Sequence, residues 1–255
     1  GLEPTFINEE QLLAGEYTKY KAIILPRNMR MEEGLLNFIR INVIPAGVNV
    51  YANADLPGMQ NPYGEVQPDF VSEVEQIFGI NATDISGYET SVKDGEFGID
   101  FIPINITVEQ NLGSLVNGRV DTFHVWKYSN ETVATSGETI ATYPNGNPAL
   151  QIKDQGNAKT AITTFSVSDG IDSDKYGERT PDALSWALRY DWMEAILLDG
   201  FGINPVLDVN GSKYVLVDYR TTSDGSVLVS FKNYKPDTQE TITLTTDLIQ
   251  GKTIK

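Results

Sequence analysis

The 255-residue chain contains no cysteine and one histidine, His124. The first absence removes disulfides, thiolate nucleophiles and cysteine-held metals together. The second leaves a serine triad only His124 as its base. That residue sits in Thr122–Trp126 (TFHVW), an apolar, strand-like setting, and no G-x-S-x-G elbow accompanies it, so a structural histidine is expected. No apolar run approaches the roughly eighteen residues of a membrane span, so none is expected. The N-terminus lacks a basic region followed by an apolar one, so no signal peptide is expected, and the compartment stays open. Positive charge is scarce: 19 basic residues stand against 35 acidic ones, for a formal net charge of −16. That balance excludes nucleic acid and an anionic membrane surface as expected partners, since both need a basic face. A neutral glycan would be indifferent to it. Gly79–Gly87 carries no phosphate-binding glycine pattern, so no nucleotide and no other cofactor is expected.

What the chain does have is clearest in Tyr20–Ala52 (YKAIILPRNMRMEEGLLNFIRINVIPAGVNVYA). Ala22–Leu25 is a continuous apolar run closed by Pro26, which reads as a strand buried on both faces. Met31–Val43 places Leu35, Leu36, Phe38, Ile39 and Val43 at helical spacing, and Val48–Tyr51 reads as a second strand. Strand, helix and strand within roughly thirty residues form a βαβ unit, whose strands must be parallel. The expected class is therefore α/β.

Elsewhere, Glu9–Leu13 predicts a helical turn or two, and Pro68–Phe78 an amphipathic helix stopped by Gly79. Ile80–Asn147 is rich in Thr, Val, Ile and turn pairs (Ser86-Gly87, Asp94-Gly95, Asn117-Gly118, Asn145-Gly146) and predicts an irregular, mostly β segment elaborating one end of the sheet. Ala149–Ile152 and Ala158–Phe165 predict a hairpin turning at Gly156. Thr180–Asp199 predicts the best helix, with Thr180 as N-cap, Pro181 in its first turn, and Leu184, Leu188, Trp192 and Ile196 recurring along one face up to Gly200. After a linker at Gly202–Asp208 the period changes to two in Tyr214–Tyr219, Ser226–Phe231 and Thr241–Leu244, an antiparallel all-β module.

Glu9–Leu13 followed by Tyr20–Pro26 (EEQLL…YKAIILP), Asp55–Gly58, Phe78-Gly79, Pro148–Leu150 with Gly156, and Gly211–Asn233 (GSKYVLVDYRTTSDGSVLVSFKN) occur in this order. Together they resemble the C-terminal half of a glycoside hydrolase family 42 β-galactosidase or a related agarase-type enzyme. In that family a catalytic (β/α)₈ barrel comes first. A flavodoxin-like domain similar to class I glutamine amidotransferases follows and mediates trimerisation, and a small β domain closes the chain. The resemblance implies a mostly parallel, flavodoxin-like sheet with helices on both faces over residues 1–207, with a β-rich insertion at about 80–147, and a small antiparallel β-sandwich over 208–255. It places both catalytic glutamates in a barrel this sequence does not include. It also implies a homo-oligomer, a trimer through the α/β domain.

Candidate chemistry is sparse. An amidotransferase needs the cysteine that is absent. Glu65, Asp69, Glu73 and Glu75 cluster at helical spacing, as a solvated face would. Asp169–Glu178 has Asp172 and Asp174 at the spacing of a calcium loop, but Tyr176 and Ala183 stand where ligands belong, so an acidic loop without metal is expected. The Asn-x-Ser/Thr sequences at Asn81, Asn105, Asn130 and Asn210 are assigned no role. Tyr51, Tyr63, Trp126, Tyr128, Tyr143 and Tyr176 lie in or beside loops, where rings can stack on a pyranose. Asp55–Tyr63, past the carboxyl end of the second strand, is where such sheets hold ligands. Asp55, Tyr63 and Trp126 are therefore the candidate substrate edge. The expected function is a non-catalytic assembly region of a galactoside- or galactan-degrading hydrolase. A carbohydrate-binding module is the alternative, and a glycosidase built on paired carboxylates a third reading.

Overall fold

The computed structural model describes residues 5–26, 28–53, 56–82, 88–90, 102–109, 112–113, 116–125, 127–129, 131–167, 191–205, 207–211, 215–233 and 239–246. In chain order the helices and strands are α1 (Glu9–Leu13), β1 (Ala22–Pro26), α2 (Leu35–Phe38), β2 (Asn49–Asn53) and α3 (Phe70–Phe78). The short strands β3 (Ile80–Ala82) and β4 (Tyr88–Thr90) follow, then β5 (Ile102–Val108), β6 (Val120–Val125), β7 (Lys127–Ser129), β8 (Thr132–Ala134) and β9 (Glu138–Thr142). After them come β10 (Pro148–Asp154) and β11 (Lys159–Thr163), and last β12 (Asp208–Gly211), β13 (Val215–Thr221), β14 (Val227–Asn233) and β15 (Ile242–Thr245). The chain divides into two compact units, 7–203 and 1–6 with 204–255.

The larger unit is built on a seven-stranded sheet in the order β1-β2-β11-β10-β9-β5-β6. The predicted βαβ unit is there: Ala22 stands opposite Asn49 and Pro26 opposite Asn53, in parallel. β11 adds in parallel on the other side of β2. From β11 onward every pairing is antiparallel, including the predicted β10–β11 hairpin turning at Gly156. The sheet is therefore mixed, with parallel order at one end only, rather than mostly parallel throughout. Part of the reason lies in the connections: tight turns at Tyr143–Asn147 and Gln155–Ala158 join β9 to β10 and β10 to β11. Short turns can only bring a strand back antiparallel. One expectation for β1 also fails. It is the edge strand, and Ile24 is 37% exposed, so Ile23 and Leu25 are buried while Ala22 is only partly so.

Period-two alternation sorts the central strands between two cores. Val50, Ala52 and Ile162 face one way and pack with Leu35, Leu36, Ile39 and Val43 and with Phe70, Val74, Ile77 and Phe78 of α3. Tyr51 and Ala161 face the other way and join Leu150, Phe123, Phe165, Trp192 and Ile196. Each fully buried large side chain contributes about 1.5–3 kcal/mol. Helical structure therefore covers both faces of β2 and β11, as the α/β reading requires.

The helices start and stop for local reasons. Asn8 accepts from the Gln11 N–H at 2.8 Å while the Gln11 side chain accepts from the Asn8 N–H at 2.9 Å, a capping box that holds a helix of only five residues. The second helix begins at Leu35 rather than Met31, because Gly34 sits at φ 78° and the Met31 N–H is already donated to the Gln60 carbonyl. It then widens to a π turn over Ile39–Val43. Gly79 ends α3 at φ 74°, and its carbonyl accepts from the N–H groups of both Thr135 and Ser136. Of the predicted Thr180–Asp199 helix, the part before 191 lies outside the described residues; the end is a π turn at Ala195–Gly200, with Trp192 and Ile196 fully buried.

The β10–β11 hairpin end ties the last turns of both helical layers to the sheet. Lys153 Nζ and Gln155 Nε2 donate to the Gln76 carbonyl at 2.7 and 3.0 Å, and Gln155 Nε2 and Thr160 Oγ1 to that of Ile77. On the opposite face Lys159 Nζ donates to the Gly200 carbonyl at 2.9 Å. Orphan carbonyls at helix ends need such donors.

In the smaller unit β12 pairs with β15 and β13 with β14, both antiparallel. The last three strands lie within two residues of their predicted places, while β12 falls at the end of the predicted linker. The β13–β14 turn is closed by Thr222 N–H to the Ser226 carbonyl and by Asp224, whose carboxylate accepts from Thr222 Oγ1 and the Ser226 N–H. Those hydrogen bonds pull the Asp224 pKa down to about 2.

Candidate functional site at the carboxyl ends of the parallel strands

β1, β2 and β11 end together at Pro26, Asn53 and Thr163, the edge where open α/β sheets hold ligands. The loops leaving β1 and β2 zip together there. Gly58 and Gln60 donate their N–H groups to the carbonyls of Asn28 and Met29, each at 2.9 Å, and Met31 donates to Gln60 at 3.0 Å. Gln67 Nε2 then crosses to the carbonyls of Met31 and Gln60 at 3.0 and 3.1 Å.

This zipper buries Leu56 and Met59 in the first core. Gly58, at φ 70°, lies against α2 so closely that a Cβ would stand 2.5 Å from Leu36 Cδ1. The loop after β2 thus packs its apolar side chains onto the first core at this edge. Behind it, Asn53 Oδ1 accepts from the Val167 N–H at 3.1 Å and from Thr163 Oγ1 at 3.3 Å, and Tyr51 Oη pairs with Thr163 Oγ1 at 2.9 Å. Burial pushes the Tyr51 phenol above its usual pKa of 10.0. One buried polar atom among the described residues, Asn28 Oδ1, has no hydrogen-bond partner.

Of the residues singled out from sequence, Asp55, Trp126, Asp172, Asp174 and Tyr176 lie outside the described residues. Tyr63 is 91% exposed on a loop organised by Asn61, whose Oδ1 accepts from the N–H groups of Tyr63 and Glu65 at 3.0 Å. Tyr51 and Tyr143 are buried, each with its hydroxyl on a threonine, so they are core rather than sugar platforms. Tyr128 lies tilted against Tyr143 with centroids 5.6 Å apart. His124 lies in β6 opposite Pro103. In the acidic cluster, Glu73 pairs with Arg40 at 2.9 Å. No group of three or more metal-ligating side chains occurs among the described residues, and no helix there is long and apolar enough to cross a membrane.

Two features have no sequence signature. The first is a charged network at the end of the second core. Arg119 donates to Asp121 Oδ1 from Nε and Nη2 at 3.1 and 3.0 Å and to Asp191 Oδ2 from Nη1 at 3.0 Å, while Trp192 Nε1 donates to Asp121 Oδ2 at 2.7 Å. Burial lowers the Arg119 pKa, but the two carboxylates outweigh it and the net shift is upward. Trp192 meets Phe123 and Phe165 edge to face beside this network, with Phe123 and Trp192 centroids 5.4 Å apart, while Phe123 and Phe165 are tilted on each other. The second feature is a shallow surface depression of about 280 Å³ along α2, with Leu13, Leu35, Phe38 and Ile41 as its apolar lining and Glu32 and Glu33 among its polar groups. Leu13 and Ile41 are 51% and 52% exposed.

No family model matches this sequence, and no curated protein matches it either. Solved structures do share its fold. A β-galactosidase from Bacillus circulans sp. alkalophilus superposes with a TM-score of 0.60 at 20% identity, over 85% of this chain and 27% of that one. The β-galactosidase of Rahnella sp. R3 gives 0.60 at 16% identity, over 85% of this chain and 28% of that one. Gan42B, a glycoside hydrolase family 42 β-galactosidase, gives 0.55 at 13% identity, over 81% of this chain and 25% of that one. The chain thus spans about a quarter of each enzyme's length, and what it shares with that quarter is its fold.

Proposed function

We propose that this chain is a non-catalytic assembly region of a glycoside hydrolase acting on β-galactosides or galactan-type polysaccharide. The observation that carries the proposal is the fold shared with one quarter of several β-galactosidases. In this reading residues 1–207 are a degenerate flavodoxin-like domain, similar to class I glutamine amidotransferases, and 208–255 are a small β-sandwich cap. The α/β domain associates as a homotrimer that holds catalytic barrels together and walls one side of a neighbouring cleft. The Leu56 and Met59 side chains, packed into the core at this edge, and the half-exposed Leu13 and Ile41, which supply an apolar contact surface, support a scaffold over a ligand site. Light scattering of the chain, alone and joined to its barrel, tests this: a trimer in either form is expected. A strict monomer in both, or hydrolysis of a chromogenic β-galactoside by the chain alone, would overturn it.

Tyr63 favours a second reading, a carbohydrate-binding module that targets an enzyme to its polymer, because its ring is 91% exposed at a loop tip. That reading expects affinity for agar-type galactan that Tyr63→Ala removes.

A further inference from the structure

The sequence holds three Asn-Gly pairs, at Asn117-Gly118, Asn145-Gly146 and Asn210-Gly211. We propose that Asn117 is a spontaneous modification site where the folded chain deamidates selectively, while the other two pairs are held shut by their surroundings. In this reaction the Gly118 backbone nitrogen attacks Asn117 Cγ. The new C–N bond closes a five-membered succinimide, and the side-chain nitrogen leaves as ammonia, taking up the proton lost from the attacking N–H. Water then opens the ring. Attack at the side-chain carbonyl gives aspartate; attack at the main-chain carbonyl gives isoaspartate, with the chain rerouted through Cγ. Glycine favours ring closure because it has no Cβ to crowd the nucleophile.

Composition does not separate the three pairs, and exposure does not separate the first two, since both lie in exposed turns. Hydrogen bonding does. At Asn145, Oδ1 accepts from the Asn147 N–H at 3.0 Å, and the Gly146 N–H is donated to the Tyr143 carbonyl at 2.9 Å. Both electrophile and nucleophile are committed there, in a turn the Tyr143 N–H closes further by donating to the Asn147 carbonyl at 2.9 Å. Asn210 and Gly211 lie in the β12 ladder opposite Thr243 and Ile242. There the paired ladder must open before the backbone can fold into a ring-closing turn. At Asn117 the main chain is held through its own N–H to the Gly113 carbonyl at 3.3 Å and by the Arg119 N–H to that of Val116 at 3.1 Å. Among the described residues the Asn117 carboxamide and the Gly118 N–H have no partner, and a Cβ built on Gly118 meets nothing within 4 Å.

Two hydrogen bonds must break at Asn145 that need not break at Asn117, which slows the former by a factor of about ten to a hundred. The product places a new carboxylate two residues before Arg119, the cation shared by Asp121 and Asp191.

The test is peptide mapping by mass spectrometry of the full chain after incubation at mildly alkaline pH, folded and in denaturant. Folded chain should accumulate aspartate and isoaspartate at 117 at least about ten times faster than at 145 or 210. In denaturant the three rates should converge. Asn117→Gln should abolish the acidic species that ion exchange resolves in aged wild-type protein. Conversion at 145 or 210 as fast as at 117 in the folded chain would overturn the proposal. So would a rate order that survives unfolding, since local sequence would then set it.

Discussion

Asp121→Ala probes the network that joins the second core to the segment at Asp191 and Trp192. Asp121 is 6% exposed and serves two donors of different kinds. Trp192 is fully buried, and its indole N–H would lose a charged acceptor 2.7 Å away, worth about 1.5–3 kcal/mol. Arg119 differs: its side chain is 32% exposed and keeps Asp191 at 3.0 Å, so its loss is closer to that of a surface pair, about 0–1 kcal/mol. The sum is about 1.5–4 kcal/mol, which for a unit of this size lowers the melting temperature by roughly 3–16 °C. Urea unfolding followed by tryptophan fluorescence gives the total, and double-mutant cycles divide it. Pairing Asp121→Ala with Trp192→Phe should show coupling of about 1.5–3 kcal/mol, whereas pairing it with Arg119→Met should show less than about 1 kcal/mol. A larger arginine arm, or a total below about 1 kcal/mol, would refute the claim that burial, not charge, makes this residue matter.

Gly58→Ala combines a left-handed backbone with a Cβ against Leu36 and should cost about 2–4 kcal/mol by denaturant unfolding, whereas Gly118→Ala, open around its Cβ, should cost only about 1–2 kcal/mol. Tyr51 makes stability fall with rising alkalinity. Its folded pKa is raised, so above 10.0 the unfolded chain loses the phenolic proton while the folded chain keeps it; stability present below 10.0 then declines, and Tyr51→Phe should flatten that part of the profile in pH-dependent unfolding. Thr160→Val removes a buried donor to the last turn of α3 and should cost about 1–3 kcal/mol, with faster amide exchange at Ile77 and Phe78 than elsewhere in that helix.

Local elements were legible because their signals are local. Apolar spacing and a terminal glycine define α3, and alternation with a tight turn defines β10–β11; each involves neighbours in sequence that physics places together whatever the rest of the chain does. The βαβ unit was legible for a related reason, since a crossover of that length admits one arrangement. Its position in the sheet was not. Ile24 reads as buried in any local window, and only the assembled strand order leaves β1 at the edge with that side chain exposed. The same holds for the antiparallel half, where β5, β6 and β9 pair across partners that no local window of their own sequences names.

The candidate site divides along the same line. That ligands of such sheets gather past β2 follows from topology, and the sequence supplies that much. Whether the place is open depends on contacts between Gly58 and Leu36 and between the loops after β1 and β2, which only the fold brings together. Arg119, Asp121, Asp191 and Trp192 make the point most plainly. Two of them lie some seventy residues from the other two, and charge pattern alone cannot pair an arginine with one of 35 acidic residues. Sequence determined which segments are helix and strand, since that depends on side-chain period; tertiary structure decided which faces meet water, which charges meet each other and which asparagine is left free to react, since those depend on what packs alongside.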